Sequence, residues 1–81
     1  MTAALAGSLH PGDAVHIGPH DIFRNDPTGP PLHKDTPETD IVVDDVVRHG
    51  TIAVIMCHTG TIRGAVVYDA NDLVQLLAGA A

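Results

Sequence analysis

Eighty-one residues, with ten acids against four bases and a formal charge of −6, hold one small domain and no basic footprint for a nucleic-acid backbone. Trp is absent, Phe23 and Tyr68 are the only aromatics, and Cys57 is the only cysteine. The core is therefore aliphatic, an internal disulfide is impossible, and a reducing, cytoplasmic compartment is expected.

In chain order, residues 1–9 ("MTAALAGSL") read as a loose N-terminus, without the positive start of a signal peptide. No later stretch approaches the roughly 20 apolar residues of a membrane span, so no membrane partner is expected. Pro11–Gly12 mark a turn, after which Ala14–Ile17 extends as a strand until Gly18–Pro19. Residues 19–40 hold five of the six prolines and read as a long, acidic, irregular loop. Ile22, Phe23 and Leu32 can pin that loop to the core, and with Arg63 they form the candidate interaction surface.

Residues 36–49 admit two readings. Thr36 as N-cap, Pro37 at the first helical position, Arg48 and His49 in the last turn and Gly50 as stop describe a helix. The β-branched set Ile41, Val42, Val43, Val46 and Val47 describes a strand, broken in its alternation at "VVDDVV". The helix is preferred and the strand is the alternative. "TIAVIMC", "HTGT" and "IRGAVVY" then spell a β-hairpin. "DANDLVQLLAG" reads as a short C-terminal helix, with Asp69 and Asn71 capping it and Leu73, Leu76 and Leu77 on one face. The expected fold is thus α+β: an N-terminal strand, a C-terminal hairpin, a central helix and a C-terminal helix. Most of its core is expected from residues 52–56 and 62–68 with those three leucines.

Chemistry is sparse. Cys57 and His58 are adjacent, and neighbours in a strand point to opposite faces, so they do not form a nucleophile–base pair. Six histidines are the best hint of a site. His16, His20 and Asp21, with His33 or His58 closing the set, give an imidazole–carboxylate group suited to a divalent transition metal such as zinc. The spacing matches no ligand motif, because Gly18–Pro19 prevents His16 and His20 from sharing a helix face. Asp40, Asp44 and Asp45 read as a solvated acidic face rather than a cation loop. No phosphate-binding, dinucleotide-binding or serine-hydrolase motif occurs, and Ser8 is the only serine.

The leading expectation is a non-enzymatic accessory or regulatory protein, without cofactor, that self-associates or docks on a larger protein. The alternatives are a histidine-based metal protein or small metal-dependent enzyme and, more weakly, an acidic mimic of nucleic acid.

Overall fold

Strands carry this chain. The computed structural model describes residues 2–23 and 30–77. They form β1 (Thr2–Leu5), β2 (Ala14–Ile17), β3 (His20–Ile22), β4 (His33–Thr36), β5 (Thr39–His49), β6 (Ile52–Thr59), β7 (Ile62–Asp69) and β8 (Leu73–Leu76), with a 3-10 turn at Ala6–Ser8. Strand makes up 65% of the structure and no described helix reaches seven residues, which corrects the α+β expectation to antiparallel β. One sheet runs in the order β1-β8-β2-β5-β6-β7, and β3 with β4 forms a separate two-stranded ribbon.

The central segment is a strand because its ends are a hairpin turn and a ladder, not helix caps. β5 pairs with β2 along its first half and with β6 along its second. Its register shifts between Val43 and Asp45, where an extra residue bulges. That bulge accounts for the broken alternation of "VVDDVV": Ile41 and Val43 point inward, the inserted residue resets the phase, and Val46 points inward again. Gly50, expected to stop a helix, has φ of +60° and turns β5 into β6, as Gly60 at +55° turns β6 into β7. Both are the first residue of a two-residue Gly-Thr loop, where a positive φ suits the twist of a tight hairpin.

The C-terminal segment is also a strand. Asp69 and Asn71 do not cap a helix there; Asp69 Oδ1 accepts the Asn71 N–H and Asp72 N–H donates to the Asp69 carbonyl, closing a turn. β8 then lies between β1 and β2. Val74 takes the buried position, whereas Leu73, assigned to the core from sequence, is 70% exposed. Thr2–Leu5, read as loose, forms the edge strand of this layer.

Within 19–40, β3 and β4 replace an irregular loop with an antiparallel ribbon, and the Leu32 N–H donates to the Ile22 carbonyl. The ribbon is tied to the far edge of the sheet: Phe23 and Ala65 exchange both backbone hydrogen bonds at 2.8 Å. Since β3 follows directly on β2, this contact curls the sheet back on itself. The core lies inside the curl, formed by Val15, Ile17, Ile22, Ile41, Val43, Ala53, Ile55, Cys57, Val66 and Val74, with Ala6, Leu9 and Ala70 from the connections.

Candidate functional site

Side chains alternate along β6. Ala53, Ile55 and Cys57 face the core, so Ile52, Val54, Met56 and His58 face outward. Strand pairing sets the outward residues of β5, β6 and β7 in rows: Asp45–Met56–Ala65–Phe23, then Val47–Val54–Val67, then His49–Ile52–Asp69. Val54 and Ala65 are 6% and 0% exposed, yet neither belongs to the core cluster. Val47 and Ile52 are 39% and 45% exposed. The meander is therefore apolar on both sides. Single exposed apolar residues are ordinary, but a contiguous patch with a polar rim marks a binding surface. Covering a half-exposed Ile or Val is worth about 1 kcal/mol.

Beyond one end of this face lies a polar stripe. The β5 bulge presents Asp44 Oδ1 to His58 Nδ1 at 2.8 Å. Further along, His16 Nδ1 donates to Asp40 Oδ1 at 2.6 Å, and its Nε2 is 3.6 Å from Glu38 Oε2. The Asp40 hydrogen bond is the main reason the His16 pKa lies above 6.5, with Glu38 adding to it. Charged His16 thus stabilises the fold fully below pH 6.5, the unfolded value, and this contribution is lost as pH rises through the raised folded pKa. We expect the His16 ring resonances to titrate with a midpoint above 6.5 in proton NMR, and Asp40→Asn to lower that midpoint. An unchanged midpoint in the variant would refute the pairing.

The metal candidates are not drawn together by what is described. His20 stacks on Tyr68, with ring centroids 4.3 Å apart, and its Nδ1 donates to the Gly18 carbonyl. The side chains of Asp21 and His33 lie outside the described residues. Among the described residues no three His, Cys, Asp or Glu side chains form a metal-holding group.

Of the expected interaction residues, Ile22 is buried in the core and anchors the ribbon, Phe23 borders the outer face beside Ala65, and Leu32 and Arg63 are exposed. Cys57 faces inward, away from His58; burial, helped by Asp44, pushes its thiol up to about 11. It is a packing residue, not a nucleophile. Residues 52–56 and 62–68 are expected in the core from sequence, but Ile52 is 45% exposed and Met56 and Val67 are half-buried on the outer face, a division whose signal is the unbroken apolar run "IAVIMC". A strand of an antiparallel meander with one wet face should alternate, and this one does not.

No protein-family model matches the chain, and neither a curated protein nor a solved structure matches it. No described helix is long and apolar enough to cross a membrane.

Proposed function

We propose that this chain is a non-enzymatic interaction module, an accessory or regulatory protein that binds another protein through the outer face of β5, β6 and β7. The observation that carries this reading is the apolar outer face, with Val47 and Ile52 exposed beside half-buried Met56 and Val67, on a meander whose other side already fills the core. The histidine–aspartate pairs are solvent-facing, and the one thiol is buried. The lone thiol suits a reducing, cytoplasmic setting.

The test is capture from native extract with untagged protein coupled at its N-terminus, wild type against Ile52→Lys. The lysine sits at an exposed position and leaves the core untouched. The reading predicts that wild type retains a defined protein, a second copy or a larger partner, and that the variant loses it by tenfold or more, about 1.4 kcal/mol. Equal retention by both proteins, or none by either, would contradict it.

A further inference from the structure

We infer that the β3–β4 ribbon is a strap with a pH-sensitive latch at its foot: protonated His16 holds Glu38 across a hinge, and loss of the proton lets the hinge go. The hinge is visible in the ladders. β2 and β5 pair as far as Ile17 and Thr39, and β3 and β4 begin to pair at His20 and Thr36. Between these two pairs lie Gly18–Pro19 on one side and Pro37–Glu38 on the other. Neither proline has an N–H to donate, and the gap between the two ladders gives the ribbon its swing point. At its other end the ribbon is held to β7 by the paired hydrogen bonds of Phe23 and Ala65 and by the stack of His20 on Tyr68. Swinging it away takes Phe23 from the border of the outer face and bares the β7 edge.

His16 belongs to the body of the sheet and Glu38 to the hinge. The imidazole has a carboxylate at each nitrogen: Asp40 Oδ1 is 2.6 Å from Nδ1, and Glu38 Oε2 is 3.6 Å from Nε2. A neutral imidazole carries one N–H and can serve only one of the two. The shorter contact keeps the proton on Nδ1, so the Nε2 lone pair then faces the Glu38 carboxylate. Attraction across the hinge becomes repulsion, while the Asp40 bond between β2 and β5 survives. Among the described residues no other charge faces the ring. Its neighbour on β8 is Gln75, and β8 carries no charged residue. Asp44 lies across β5 against His58, and Asp13, before β2, accepts the His10 N–H. The raised His16 pKa sets the direction: the latch is closed below pH 6.5 and opens as pH rises through the higher folded value.

Amide exchange by NMR, divided by the intrinsic rate at each pH, reads the strap at Phe23 and Ala65, which bond to each other's carbonyls. Protection there is expected to be lower than at Ile55 in the core, because a strap opens before the sheet unfolds. Between about pH 5.5 and about pH 8.5 it is expected to fall about two- to fivefold, the size of a solvent-exposed ion pair, with the midpoint of the His16 ring titration. Glu38→Gln is expected to lower that midpoint and to abolish the step. His16→Gln should abolish the step as well. Glu38 is exposed and His16 half-buried on the outer side, so both variants keep the core, and thermal melts confirm that each is folded. Wild type without a step at the His16 midpoint overturns the inference, as does a step that survives in Glu38→Gln. Protection at Phe23 and Ala65 equal to that at Ile55 overturns it too, since the ribbon would then open only with the whole sheet.

Discussion

Gly64→Ala is expected to destabilise the protein by about 3 kcal/mol, the upper part of the range for overpacking a tight site. A Cβ on Gly64 would stand 2.5 Å from the Phe23 carbonyl oxygen and 2.5 Å from Ile22 Cγ2. The side chain of Ile22 can turn aside. The backbone oxygen cannot, because Phe23 is held by its pair of hydrogen bonds to Ala65, the neighbour of Gly64. Alanine therefore pushes the β3–β4 ribbon off β7 at the contact that closes the curl. For a domain of this size the thermal midpoint should fall by about 12–24 °C. Amide exchange at Phe23 and Ala65 should accelerate before the rest of the sheet opens. A midpoint within about 2 °C of wild type would show that the ribbon does not cross β7 as described.

The second large effect separates the two faces of β6. Ile55 is 0% exposed at the centre of the core, between Val46 and Val66, and Ile55→Ala should cost about 2–5 kcal/mol from lost transfer energy and the cavity left behind. Ile52, three residues away on the same strand and 45% exposed, should cost less than about 1 kcal/mol when truncated in the monomer. Urea unfolding of the two variants at low protein concentration reads both values. Comparable losses at the two positions would contradict the assignment of inner and outer faces.

Much of β6 and β7 was legible, since two β-branched runs flank a turn containing Gly60. The same signal stands ten residues earlier, where Gly50-Thr51-Ile52 repeats Gly60-Thr61-Ile62, and the helix reading outweighs it. Thr36, Pro37 and Gly50 fit the ends of a helix as well as they fit two turns. What decided for a strand is tertiary: β5 has β2 on one side and β6 on the other. The irregular "VVDDVV" was a bulge rather than an argument against a strand.

β8 is four residues long, too short for its period to be read, and Leu73, Leu76 and Leu77 mimic a helix face. Its conformation comes from the ladders of β1 and β2, which local sequence does not display. The β3–β4 ribbon was hidden for the same reason, its strands of three and four residues being defined by each other. The outer face was legible only as an absence of alternation in "IAVIMC". It acquired meaning once Ile55 and Cys57 were placed in the core and Val54 and Met56 were left on the other side.

The central claim is that this meander binds through the side facing away from its core. Methyl NMR of isotope-labelled protein, recorded as the protein is concentrated or as a captured partner is added, tests it most directly. The account predicts that resonances of Val47, Ile52, Val54, Met56 and Val67 move together while those of Val15, Ile55 and Val66 stay fixed. Shifts confined instead to Leu5 and Leu73, the exposed pair on the β1–β8 edge, would contradict it and move the binding surface to the opposite end of the sheet.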